Sequence, residues 1–171
     1  MSATEVNTKE QPVTQEPIVP EPIVTPEIDL EENPDFEPII LAFSCNWCSY
    51  TSADLAGVNR FHYPSCVRVI RFMCSGRIES DFIFRAFENG ADGVIVSGCK
   101  LGECHYIEGN EKAQRRLENA GRLLDLLGIG SERLGSVWIS AAEGAKFASY
   151  MTEFVEKIRI LGPSPAKRNF K

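Results

Sequence analysis

From residue 38 onward, short apolar runs alternate with longer stretches of helical periodicity. "PIILAFSC" (38–45) is continuously apolar, as a strand buried on both faces requires. "SADLAGVNRF" follows as a short helical segment. "VRVIRFMC" (67–74) is a second β-rich run, broken by Arg68 and Arg71 and therefore partly exposed. Ser80 is placed to cap "DFIFRAFENG", a helix expected to end at Gly90. "DGVIVSGC" (92–99) reads as a third buried strand. A helix over roughly 110–127 then sets Ala113, Leu117, Ala120, Leu124 and Leu127 on one face, at steps of four and three. "LGSVWIS" (134–140) is the fourth strand. "SAAE" (140–143) has capping-box spacing ahead of a last helix whose buried stripe is Phe147, Met151, Phe154 and Ile158.

Strands alternating with helices of this length require a parallel sheet with right-handed crossovers. The expected fold class is therefore α/β, a small open parallel sheet of flavodoxin-like or Rossmann-like βα units. The domain spans 38–162, and the basic tail 163–171 is expected to be exposed. Upstream, residues 1–37 form an extension rich in proline and acid, with a short echo of Glu-Pro-Ile-Val. Proline withholds an N–H and the acids repel one another, so this leader is expected to be disordered alone, although its spaced Ile and Val could dock on a partner.

Charge follows the same division. The overall net charge is −6, but residues 1–38 hold ten Asp/Glu against Lys9 alone, leaving the remainder at +3. That is too weak for a nucleic-acid footprint. No stretch approaches 18 consecutive apolar residues, and the first 30 lack the basic start and apolar run of a signal peptide. A soluble cytoplasmic protein is expected. There, six cysteines read as metal ligands or redox groups before they read as disulfides.

The sheet rule gives those cysteines their meaning. Cys45, Cys74 and Cys99 end strands one, two and three, while Cys48 and Cys104 follow in the first and third βα loops. All carboxyl ends of a parallel sheet lie on one edge, so five thiols converge on one rim. Cys66, in "HYPSC", falls at the opposite end and is set aside. The C-x2-C knuckle of zinc sites occurs only once. Iron–sulfur ligation uses C-x2-C and C-x4-C steps, and both occur here on separate loops, enough for a 2Fe-2S or 4Fe-4S cluster with one thiol spare. Gly and Ser around the ligands, in "CSG" (74–76) and "SGCKLGEC" (97–104), let backbone N–H groups approach sulfur. His105 could replace a thiolate as in Rieske centres, with a solvent-facing ring the simpler expectation. Trp47, Tyr50 and Tyr106 would shield the site or set a docking face. Two alternatives stand beside this: a structural zinc-binding scaffold, and a thioredoxin-like dithiol oxidoreductase using Cys45 and Cys48. No nucleotide-binding glycine loop, Walker loop or acid–base carboxylate pair competes for the rim.

The segments "SCNWCSYTSADLAG", "VRVIRFMCSGRI", "FENGADGVIVSGCKLGECHYIEGN" and "LLGIGSERL", in this order and spacing, resemble the methyl-viologen-reducing hydrogenase delta subunit, a hydrogenase iron–sulfur subunit family. The resemblance covers about residues 38–160. It implies a 2Fe-2S electron-transfer subunit of methanogenic archaea and some anaerobic bacteria, with no catalytic residue of its own. Such a subunit passes electrons from hydrogenase or formate dehydrogenase to the flavin-containing subunit of heterodisulfide reductase, where flavin-based electron bifurcation couples ferredoxin reduction to heterodisulfide reduction in methanogenesis. The family's cysteine pattern matches Cys45, Cys48, Cys74, Cys99 and Cys104. Cys66 lies outside it. The long acidic leader departs from the family's short start and suggests an extra contact within a complex.

Overall fold

A computed structural model describes residues 36–169. The expectation of a disordered leader falls almost wholly outside them. The chain alternates β1 (Ile40–Cys45), α1 (Thr51–Val58), β2 (Val67–Phe72), α2 (Ser80–Glu88), β3 (Gly93–Gly98), α3 (Gly109–Leu126), β4 (Leu134–Trp138) and α4 (Gly144–Leu161). All four strands are parallel, in the order β2-β1-β3-β4. The chain leaves β1 toward one edge and returns to its other side as β3. The strand order therefore reverses between β1 and β3, which makes the crevice beyond their carboxyl ends the topological switch point of a flavodoxin-like sheet.

Successive side chains of a strand face opposite sides, so each strand feeds both cores. Phe43, Val94 and Val96 pack beneath α2 and α3, against Ile83, Phe87, Leu117 and Leu124. Ile40, Ala42, Ile95 and Val137 pack beneath α1 and α4, against Phe147, Met151, Val155 and Ile158. The stripe expected on the last helix is thus buried as read. β3 is buried throughout, whereas β2, an edge strand, exposes Arg68, Ile70 and Arg71.

Several local expectations are corrected. Ser80 is the first residue of α2 rather than its cap; extended Glu79 precedes it, and no side chain closes the helix start. The helix does end as expected, with Gly90 at φ 92°. Leu127 is 64% exposed, because α3 stops at Leu126 and Gly128 turns left-handed at φ 70°. Ile129 takes its place against the core, its N–H bonded to Leu124 O at 2.9 Å. Only half of the capping box forms. The Ser140 N–H donates to Glu143 Oε2 at 2.7 Å, but α4 begins at Gly144.

The tail does not extend freely either. Ser164 and Ala166 are buried, because Asp92, itself fully buried, needs partners. Its carboxylate accepts from Ile39 N (2.9 Å), Ser164 N (2.9 Å) and Lys167 Nζ (2.6 Å). Beside it, the Arg133 guanidinium donates to the carbonyls of Asp92 (3.2 Å), Leu161 (2.9 Å), Gly162 (2.8 Å) and Pro163 (3.3 Å). This network closes the amino edge of the sheet and leaves the carboxyl edge to the thiols.

Candidate metal centre

Cys45 is the last residue of β1, and Cys99 follows β3 directly. They flank the switch point, each only 1% exposed, with Cys45 Sγ 3.8 Å from Cys99 Sγ. Cys48 lies on a single π-helical turn, Asn46–Tyr50, that runs into α1. Its thiol lies beside that of Cys99. Ser49 pins this turn to the sheet, its hydroxyl donating to Ser97 O at 2.9 Å. Cys74 sits two residues beyond β2, where the chain has left the sheet, and its thiol meets that of Cys104 from the β3–α3 loop. The five expected thiols therefore line one rim as neighbouring pairs. Cys66 does not join them; its carbonyl accepts the Ile40 N–H (3.1 Å) at the other end of β1.

Burial and backbone dipoles oppose one another here. Burial pushes the Cys45, Cys48 and Cys74 thiols up, and Cys99 furthest, to about 11. Against it, backbone N–H groups face the sulfurs: Trp47 and Ser75 toward Cys45, Gly76 toward Cys74 at 3.4 Å, and His105 toward Cys99. At Cys104 the balance tips. Burial still raises its pKa, but the N–H groups of Tyr106, Asn110 and Gly109, with the Cys74 thiol, bring it below the ordinary value. Donors aimed at sulfur favour thiolate over thiol.

The space around the thiols is kept by absent side chains. A Cβ on Gly109 would collide with Cys74 Sγ and lie 3.2 Å from Cys104 Sγ, and one on Gly76 would lie 2.8 Å from Gly109 Cα. Above, the rings of Trp47 and His105 stack at 3.8 Å, joining the two cysteine loops, with Tyr106 edge-on to both. His105 is exposed as expected, yet one ring face is covered. Tyr50 lies apart from this cover, under Arg71 at 5.3 Å. Trp47, Met73, Leu101, Tyr106 and Ile107 leave large apolar surface exposed on the thiol-bearing loops. Ile107, 86% exposed, holds φ 72°, an unfavourable conformation for a β-branched residue.

Residues 40–162 match the family model of the methyl-viologen-reducing hydrogenase delta subunit. The chain belongs to that family. It is 54% identical over 134 residues to an F420-non-reducing hydrogenase iron-sulfur subunit of Archaeoglobus profundus, covering 78% of this chain and 98% of that one. It is 52% identical over 135 residues to the vhc F420-non-reducing hydrogenase iron-sulfur subunit of Methanococcus voltae, covering 79% and 94%. A third relative differs in scale. A subunit of the Ferredoxin:CoB-CoM heterodisulfide reductase of Methanosarcina mazei is 48% identical over 135 residues, and those residues make up 78% of this chain but only 17% of that protein.

In this delta-subunit chain, three supporting residues escaped the sequence reading. Gly109 opens α3 against two thiols, as described. Asn110 is fully buried; its Nδ2 donates to Cys99 O (3.0 Å) and Lys100 O (2.6 Å), and its Oδ1 accepts the Glu111 N–H at 2.9 Å. Arg116 reaches back from α3 to Gly76 O at 2.6 Å and Glu79 at 3.1 Å, holding the Cys74 loop down. The one signal in the sequence was "GN" at the head of a helical pattern, where neither residue favours a helix interior. Among the described residues, no three His, Cys, Asp or Glu side chains converge on one point as the ligands of a single ion would.

Proposed function

We propose that this chain is the iron–sulfur electron-transfer subunit linking hydrogenase, or formate dehydrogenase, to the flavin-containing subunit of heterodisulfide reductase. Cys45, Cys48, Cys74, Cys99 and Cys104 supply four thiolates to a 2Fe-2S cluster, with the fifth to spare. One observation carries the reading: five thiols from three crossover loops gather along the rim at the switch point, as the neighbours Cys45–Cys99 (3.8 Å), Cys48–Cys99 and Cys74–Cys104. The donor set fits. Soft thiolates, glycine-lined space and inward N–H groups are what iron–sulfur ligation uses.

A cluster held there would supply one-electron exchange. The chain's own residues do the rest. The N–H groups of Trp47, Ser75, Gly76, His105 and Tyr106 stabilise thiolate charge, and the Trp47–His105 stack limits water. The exposed apolar residues of the same loops face the partner. Two relatives that bear the name iron-sulfur subunit support the cofactor. In the Methanosarcina mazei relative this domain is part of a heterodisulfide reductase chain. That fusion supports the heterodisulfide reductase chain as electron acceptor, since a domain fused in one chain docks on its counterpart when separate. Passage of the electron into flavin-based bifurcation belongs to that partner. No helix among the described residues is long and apolar enough to cross a membrane. Reduced thiols suit a cytoplasmic setting.

The alternatives fare worse against the geometry. A dithiol oxidoreductase needs an accessible thiol of low pKa, whereas Cys45 is buried with its thiol pushed up. A single zinc ion asks its ligands to surround one point; a cluster's thiolates attach to different irons. The test is anaerobic purification of the full chain, with iron and sulfide analysis and EPR after dithionite reduction. Protein lacking both iron and sulfide sinks the reading. Copurification with a heterodisulfide reductase flavoprotein supports the placement.

A further inference from the structure

Asn110 lies outside the cysteine set, yet it is buried and fully bonded at the point where α3 meets the Cys99–Cys104 loop. Its acceptor contributes little to the helix, because Oδ1 takes the N–H of the next residue rather than of one two or three further on. Its donors are what set it apart. Both Nδ2 protons go to the loop, at Cys99 O and Lys100 O. Another tie on that loop, the Lys100–Glu143 ion pair at 3.1 Å, is partly exposed and open to screening. Lys100 O keeps the Glu103 N–H at 2.9 Å without Asn110, but the buried Cys99 carbonyl would lose its side-chain donor, which costs more than breaking a screened ion pair.

We propose that Asn110 is the positioning residue of the thiol site: its carboxamide latches the loop onto the first turn of α3, holding Cys99 at the switch point and Cys104 over Gly109. The proposal rests on the iron–sulfur reading for its functional meaning, but the latch itself exists in the metal-free chain.

N110D tests it. The change is isosteric and keeps the acceptor, and it adds a negative charge at a helix N-terminus, which favours the helix. It replaces only the two donated bonds with a carboxylate facing two carbonyls. In metal-free full-length protein, alkylation mapped by mass spectrometry should label Cys99 and Cys104 at least tenfold faster than in wild type, about 1.4 kcal/mol of lost local protection. Cys66, outside the site, should react at its wild-type rate. In anaerobically reconstituted protein, the midpoint potential and EPR line shape of the reduced cluster should both shift. Unchanged labelling of Cys99 and Cys104 overturns the proposal. If N110D opens all six thiols together, N110S, which carries no charge and cannot span both carbonyls, is read the same way. Uniform opening in both variants overturns the latch and leaves Asn110 a residue of general stability. Wild-type protein that takes up no iron and sulfide refutes the proposed function, while the thiol comparison still decides the latch.

Discussion

Two glycines on one helix provide a paired test of the cradle. Gly109 and Gly121 both lie in α3, and neither has a positive φ, so alanine suits the backbone at each. At Gly121 a Cβ would meet only Ser131 Cβ, at 3.5 Å, an ordinary contact. Replacing an interior helical glycine there should stabilise the apoprotein by about 0.5–1 kcal/mol. At Gly109 the same methyl collides with Cys74 Sγ and crowds Cys104 Sγ. Overpacking of this kind costs roughly 1–3 kcal/mol, against a helix gain that is smaller in the first turn. G109A should therefore fall about 1 kcal/mol below wild type. A gap of about 2 kcal/mol between the two variants separates their urea midpoints by about 1 M. Relieving the overlap also moves a sulfur by on the order of 1 Å, several times the ~0.2 Å tolerance of a metal–ligand bond. Anaerobic reconstitution should thus leave G121A with wild-type iron and G109A with little. If Cys74 escapes by changing rotamer, the fold is spared and the iron is still lost. G109A with full iron and undiminished stability would refute the reasoning.

Titration, core and cover give four further expectations. In metal-free protein near pH 8, iodoacetamide should modify Cys104 well before Cys99, because N–H donors lower the one and burial raises the other to about 11. Folded apoprotein also holds the Cys99 proton more tightly than the unfolded chain, so its stability should decline as pH rises from about 9 toward 11, measured as urea midpoints. R133A strips a buried guanidinium from four carbonyls and should cost about 3 kcal/mol or more by urea melting, with iron content unchanged because the network lies at the far edge of the sheet. W47A removes the stack on His105 and part of the exposed apolar rim; titrated against the partner flavoprotein, it should bind at least tenfold more weakly, while CD spectra stay those of wild type.

The architecture was legible because its central strands are apolar on both faces. The continuous apolar runs of β1 and β3 could only be doubly covered, and the parallel-sheet rule then carried Cys45, Cys74 and Cys99 to one edge. What the rule could not supply was the loop geometry. Met73 and Cys74 prolong the apolar pattern of β2, yet the chain turns out of the sheet after Phe72 to bring the thiol to Cys104. Gly109 and Asn110 answer to groups far along the chain, Cys74 and Cys99, and no local periodicity records that. The tail was misread for the same reason: its partner, Asp92, lies 72 residues from Ser164. Leu127 kept the helical period in sequence, but Gly128 ended the helix first.

The non-local origin of the thiols also ties cofactor loading to folding. Cys45, Cys74 and Cys99 come from three successive crossovers, so the ligand set exists only once β1, β2 and β3 are aligned. A ligand that binds only the folded state lends its binding free energy to that state. Iron would thereby clamp the edge strand β2, the most exposed part of the sheet, to the central pair across spans of 29 and 25 residues. Loss of the cluster should then be felt first as fraying of that edge, a mechanical signature readable by hydrogen exchange along Val67–Phe72.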